Sequence, residues 1–308
     1  MRRNDLQFFV RDGRRLNTML RDLRYVRLGT ADIDAASDFA SRILGLQEIG
    51  RVGSRETGLS VYFRSDQRHH TLVYFSGDPA DQMVGFDLAE GVQSKALITE
   101  LAQLGFESRT GTRDERAVRN VSTMVALRDP SGNALELVVP AADSDSTFAP
   151  TRLAGITGFA QVGLRSTAPE RDEIFWTRAL GARVSDRIGK APLLRIDDTH
   201  HRIALLLSPR PGIQHIAFQM GSIDDIMRAW YFLRDNGIRI LFGPGRDPTS
   251  SANFLYFEGP EGMIFKYVTA AKKIVNEASH RPRQFPVALR SLCMWGSRPD
   301  IREYQSIT

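Results

Sequence analysis

Two stretches of this chain follow the same course. From Tyr25, which opens Tyr25-Val26-Arg27-Leu28, to Gly45, and from Gln161, which opens Gln161-Val162-Gly163-Leu164, to Gly181, the opening residue and the glycine are 20 positions apart. A long internal repeat fixes architecture more firmly than local propensity does, because each copy has to bury the same face in the same way. Each copy reads as a short alternating strand, a polar helix start, an amphipathic helix, and a glycine that stops it. Strand signals follow in both, HHTLVYF from His69 and HHRIALLL from His200, and the two His-His pairs lie 131 residues apart. MVGFDL from Met83 then matches HIAFQM from His215, and the pattern predicts a helix from Asp224 to Asn236 with Gly237 as its stop. Each half closes on a Pro-x-Gly turn, DPSGNALEL from Asp129 and GPEGMIFKY from Gly259.

The repeat divides the chain into an N-terminal extension (1–22), a first domain (23–140), a polar linker (141–155), a second domain (156–270) and a C-terminal tail (271–308). Within each domain the order strand, helix, several strands occurs twice. The expected fold class is therefore α+β, each domain a pair of βαβββ modules forming a curled mixed sheet around a cavity, where a ligand would sit.

Composition narrows the function. The net charge of +5 comes from Arg scattered along the chain without a nucleic-acid motif, so a solvated basic surface is expected and no nucleic-acid partner. A mildly positive field suits an anionic small substrate. The longest apolar runs, such as Ile203 to Leu207, are far too short to span a bilayer, so no membrane partner is expected. The first residues are Arg-rich but carry Asp5, Asp12 and Asp22 and lack the apolar core of a secretory leader. Cys293 is the single cysteine, which excludes an intrachain disulfide and fits a reducing compartment, so the expectation is a cytoplasmic protein.

With the two VRL/VGL-to-LG modules, the HHR strand, GIQHIAF, GPGRDPTSSANFLYF and the tail around SLCMWG in view, the sequence resembles the vicinal oxygen chelate superfamily. More narrowly, it is similar to the two-domain type I extradiol dioxygenases of the dihydroxybiphenyl kind, over nearly the whole chain. The resemblance implies aromatic-compound metabolism, homo-oligomers, and a second domain that holds Fe(II), occasionally Mn(II), with two His and one carboxylate. The three ligand positions fall on Gln161, His215 and Lys266. An amide is a poor substitute for imidazole, and a lysine ammonium has donors but no acceptor. The residues therefore predict a protein without a metal cofactor; Fe(II) held in an atypical site is the alternative.

The resemblance also places a second-sphere histidine at His201 and a pocket tyrosine at Tyr256, and it puts Asp247 where the family has a histidine. His201 and His215 would move protons, near the range an imidazole suits. Tyr256 would hydrogen-bond a substrate oxygen, and Lys266 would stabilise negative charge. Gln161, Asp247 and His200 complete the expected substrate-binding set. Lys266 has three readings: an ion pair with Asp247, a fixed charge for a phenolate, enolate or carboxylate, or a Schiff-base nucleophile. The function expected from the residues is binding of a small oxygenated aromatic or its ring-opened product. Isomerase, hydrolase or C–C lyase chemistry without iron would accompany it; the alternatives are Fe(II)-dependent ring cleavage and a non-catalytic binding protein.

Overall fold

The structure is a computed structural model and describes residues 18–54, 58–141, 147–152 and 155–305. The expected N-terminal extension falls largely outside these residues, as does part of the linker.

The first sheet contains β1 (Leu20–Thr30), β2 (Gln47–Ser54), β3 (Gly58–Arg64), β4 (Leu72–Ser76), β5 (Gln82–Leu88), β6 (Ser108–Thr110), β7 (Val121–Arg128) and β8 (Ala134–Pro140). Its order is β2-β3-β4-β1-β5-β8-β7-β6, two four-stranded modules joined where β1 and β5 run antiparallel. In each module the first strand lies parallel to the last, and α1 (Ile33–Asp38) or α2 (Ser94–Gln103) lies in the connection between them. A shorter α3 (Arg113–Val118) precedes β7.

The second sheet repeats the plan with β9 (Ile156–Ser166), β10 (Arg183–Ile188), β11 (Ala191–Arg195), β12 (Ile203–Leu207), β13 (Ile213–Met220), β14 (Ile240–Arg246), β15 (Asn253–Glu258) and β16 (Ile264–Thr269). Its order is β14-β15-β16-β13-β9-β12-β11-β10, with a ninth strand, β17 (Arg283–Phe285), added from the tail. Its helices are α4 (Pro169–Ile174) and α5 (Ile223–Asp235), and α6 (Arg302–Gln305) lies in the tail. The α+β class and the paired modules agree with the expectation. No helix among the described residues is long and apolar enough to cross a membrane.

Local sequence explains the punctuation. The Asp32 carboxylate accepts from Ala35 N and caps α1, and the Ser222 hydroxyl does the same for Asp225 N at the head of α5. Gly45 (φ 81°) and Gly181 (φ 73°) take the left-handed conformation that ends the first helical stretch of each half. Ile226, Ala229 and Leu233 share the buried face of α5, spaced as a helix requires.

One apolar cluster runs through both halves. The helical segment following α1 brings Phe39 to 5.3 Å from Phe265 of β16. The segment following α4 brings Trp176 to 5.4 Å from Phe86 of β5, and Phe175 to 4.8 Å from Phe106. The first helical stretch of each domain thus packs on the other domain.

Strand alternation sets the opposite, concave faces. In the first sheet, register pairs Arg27 with Met83, Tyr25 with Gly85, and Gly85 with Glu136. In the second, Gly163 pairs with His215, Gln161 with Ala217, and Ala217 with Lys266. Tyr25 and Gln161, Met83 and His215, and Glu136 and Lys266 therefore occupy equivalent places.

Candidate functional site

Lys266 comes from the centre of β16 and is 3% exposed. Its ammonium donates to Gln161 Oε1 at 2.9 Å and lies 5.0 Å from the Tyr256 ring centroid. Burial pushes the ammonium down to about 8, with Asp247 opposing the shift. The ion pair with Asp247 is not formed. Asp247 instead accepts from Thr249 N at 2.8 Å, Thr249 Oγ1 at 2.7 Å and Ser250 Oγ at 2.9 Å. A local turn therefore occupies the carboxylate, which acts on Lys266 only through its field.

His200 and His201 precede β12 instead of lying on it, and their ring planes are 83° apart. His200 does not reach the cavity as a substrate-binding residue. It turns away, and its Nε2 lies 2.9 Å from Asp186 Oδ2 while its Nδ1 lies 3.0 Å from His201 Nδ1. Burial would raise the Asp186 carboxyl, but hydrogen bonds from His200 and Arg283 hold it at about 2. An ionised carboxylate only accepts, so His200 Nε2 carries a proton, and in the neutral His200–His201 pair its Nδ1 receives one from His201 Nδ1. That leaves His201 Nε2 as the proton-accepting nitrogen. Burial first, then His200 and Lys266, push His201 well below the usual imidazole range, so it stays neutral.

His215 is fixed by an irregularity. The β9–β13 register shifts between Ile213 and His215, and this bulge lets the neighbouring Gln214 place its Oε1 2.5 Å from His215 Nδ1. Nδ1 must then donate, and Nε2 is left as a buried acceptor with no partner. Space for the ring comes from Gly163, where an added Cβ would lie 2.2 Å from His215 Nδ1. Burial and Lys266 keep His215 neutral. Tyr256 packs its edge against the ring at 5.3 Å; its hydroxyl is hydrogen-bonded to Tyr304 and kept protonated by burial.

His201, His215, Asp247, Tyr256 and Lys266 line one cavity of about 50 Å³, together with Phe242, Leu292 and Tyr304. This is room for only a few water molecules. Gln161 is not on the wall; it sits behind it, bonded to Lys266 and to the His201 carbonyl. Sequence reasoning missed Asp186, Arg283, Leu292 and Tyr304. The last three come from the tail, where no local pattern signals which wall they reach.

In the first sheet, the place equivalent to Lys266 holds a polar cluster. Glu136 accepts from Tyr25 Oη at 2.8 Å and from Arg119 Nε at 2.7 Å and Nη2 at 2.6 Å.

The family model described as the Glyoxalase/Bleomycin resistance protein/Dioxygenase superfamily matches residues 22–137 and 158–267, one stretch in each half. The chain belongs to this superfamily. Among superfamily relatives, a 1,2-dihydroxynaphthalene dioxygenase of Sphingobium xenophagum is 24% identical over 270 residues, covering 82% of this chain and 89% of that one. An iron-dependent extradiol dioxygenase of Rhodococcus jostii is 24% identical over 280 residues, covering 84% and 92%. Of solved structures, a halotolerant catechol dioxygenase superposes with a TM-score of 0.80 at 21% identity, covering 91% of this chain and 95% of that one. A Mn(II)-bound glyoxalase from Novosphingobium aromaticivorans gives 0.79 at 23% identity, covering 93% and 94%.

These superfamily relatives correct one expectation, that the chain has no cofactor. One is named for its iron dependence, and this points to a metal. The three side chains at the implied ligand positions do not fit one as they stand. His215 Nε2 offers a free imidazole lone pair, but the Gln161 oxygen is engaged by Lys266, and Lys266 is itself a cation. Among the described residues no group of three His, Cys, Asp or Glu side chains converges to hold a metal.

Proposed function

We propose that the chain is an enzyme of aromatic-compound catabolism in the extradiol dioxygenase line, and that its second-domain cavity binds a vicinal aromatic diol as the mono-anion. The observation that carries this is the pairing of a buried ammonium, Lys266, with a buried imidazole acceptor that has no partner, His215 Nε2. A diol mono-anion offers the complement: one oxygen carries charge for Lys266, and the adjacent hydroxyl donates to His215. His201 Nε2, an acceptor in the neutral His200–His201 pair, would take the proton that the diol gives up in becoming the mono-anion. The relatives' names, which specify dihydroxynaphthalene and biphenyl-diol substrates, support this class. They favour oxygen-dependent ring cleavage over the isomerase, hydrolase or lyase chemistry expected from the residues alone.

A diol ring needs more room than the cavity offers, so binding moves Leu292 or Tyr304 aside.

The deciding experiment is anaerobic purification followed by metal analysis and catechol-dependent O2 uptake, with and without added Fe(II) or Mn(II). Diol binding with catechol-dependent O2 uptake is the expected result, and the metal analysis shows whether that uptake requires a bound metal. Diol binding with no uptake in the metal-supplied protein would reject catalysis by ring cleavage, and absence of diol binding would reject the assignment altogether.

The charge on Lys266 also predicts a pH profile. 4-Nitrocatechol, whose first hydroxyl ionises just below neutral pH, is expected to bind as the mono-anion with its highest affinity between about pH 7 and 8. Above pH 8 its affinity should weaken about tenfold per pH unit, as the amine that titrates at about 8 loses its proton. Calorimetric titration from pH 6.5 to 9.5 checks this, and a flat profile would remove Lys266 from the binding site.

A further inference from the structure

We propose that the concave face of the first sheet holds a second binding site, in which Arg27 and His70 take a small carboxylate or other singly charged oxyanion. Arg27 lies on β1 two residues beyond Tyr25, so alternation puts it on the same concave face. It is 5% exposed, and both its Nε and its Nη1 are buried without a hydrogen-bond partner. Its guanidinium lies over the Phe75 ring, 5.5 Å from the centroid. Glu136, the carboxylate on the same face, is already bonded to Arg119 and Tyr25.

His70 is the second unsatisfied group. It is 1% exposed, stacks on Tyr25 at 4.9 Å and meets Tyr62 edge-on at 5.4 Å. Its Nδ1 is engaged with His69 Nδ1 at 3.0 Å, and its Nε2 is buried without a partner. Tyr25 thus joins the two groups: His70 covers its ring, and Arg27 follows it along the strand. Of the arginines around His70, Arg27 acts on it more strongly than Arg24 or Arg119.

A buried cation with no counter-charge is unfavourable, and a planar guanidinium with free N–H donors suits an oxyanion. The other half shows that this charge is not a requirement of the fold. Gly163 stands in place of Arg27, and the space it leaves is taken by the His215 ring. Each half thus keeps a buried cation on its concave face, Lys266 on the last strand of one and Arg27 on the first strand of the other. The aromatic walls of Tyr25, Tyr62 and Phe75 suit an aryl carboxylate in particular.

The test uses benzoate and acetate on the full chain carrying Lys266→Met, so that the second-domain cation plays no part and the result is independent of diol binding. Calorimetry is expected to show one benzoate bound per chain. Adding Arg27→Met should weaken it more than tenfold, while Arg27→Lys should retain weakened binding. In anion-free buffer, Arg27→Met should melt at a higher temperature than its parent, and benzoate should no longer raise that temperature. Failure of both anions to bind, or affinity unchanged by Arg27→Lys and Arg27→Met, would overturn the proposal. If Arg27→Met does not fold, unchanged affinity in Arg27→Lys overturns it alone.

Discussion

Lys266→Met is expected to make the folded chain about 2 to 3 kcal/mol more stable at pH 7 and, at the same time, to abolish binding of an anionic diol. The stability gain follows from linkage. The amine titrates at about 8 in the folded chain against 10.5 normally, so the unfolded chain holds this proton more tightly. Below pH 8 the native state carries the full cost of a buried charge, about 3 kcal/mol for a shift of this size. That cost fades as pH rises from 8 to 10.5, where both states lose the proton. Methionine fills a similar volume without a charge. Urea unfolding at pH 7 and pH 10.5 is the measurement: the variant's advantage should be large at the first pH and nearly absent at the second. A variant less stable at pH 7 would mean that the Gln161 hydrogen bond outweighs desolvation. Stability gained with ligand binding lost would mark Lys266 as a residue kept for function.

The second large effect belongs to the other half. Glu136→Gln should cost about 3 to 5 kcal/mol, because it leaves the Arg119 guanidinium charged, buried and without its bidentate partner. Tyr25 would keep a hydrogen bond to the amide oxygen, so the loss reports mainly on Arg119. The double variant Glu136→Gln with Arg119→Met should recover much of the loss, since it removes the stranded charge. Diol affinity should stay within about twofold, because the cluster belongs to the first sheet and takes no part in the second-domain cavity. A Glu136→Gln variant that unfolds at the wild-type urea midpoint would rule out a structural role for this ion pair.

The repeat made the architecture legible, because each half shows the same strand, helix and glycine order, and register then places Glu136 opposite Lys266 in kind. Side-chain direction was less legible. His200 was expected in the substrate-binding set, yet the pair precedes the strand, and a hydrogen bond to Asp186, 14 positions away, sets the ring. The missing Lys266–Asp247 pair did have a sequence signal. Asp-Pro-Thr-Ser is a turn in which the carboxylate satisfies its own backbone and hydroxyls, and here that local competition wins. Nothing in the sequence marks Tyr304 or Leu292 as cavity walls, since the tail reaches them through tertiary packing. The cofactor is a different case: the ligand positions alone argued for none, and only the comparison with relatives pointed to a metal.

The exchange of helical segments between the halves bears on how such a chain could arise and be divided. Phe39 leans on Phe265, and Trp176 leans on Phe86, so each half lacks part of its own apolar wall. A single ancestral half could have completed that wall by pairing with an identical copy, and fusing two copies would have made the pairing permanent. Cutting the chain within the linker should therefore give two fragments that are poorly soluble apart but recover a common fold when mixed.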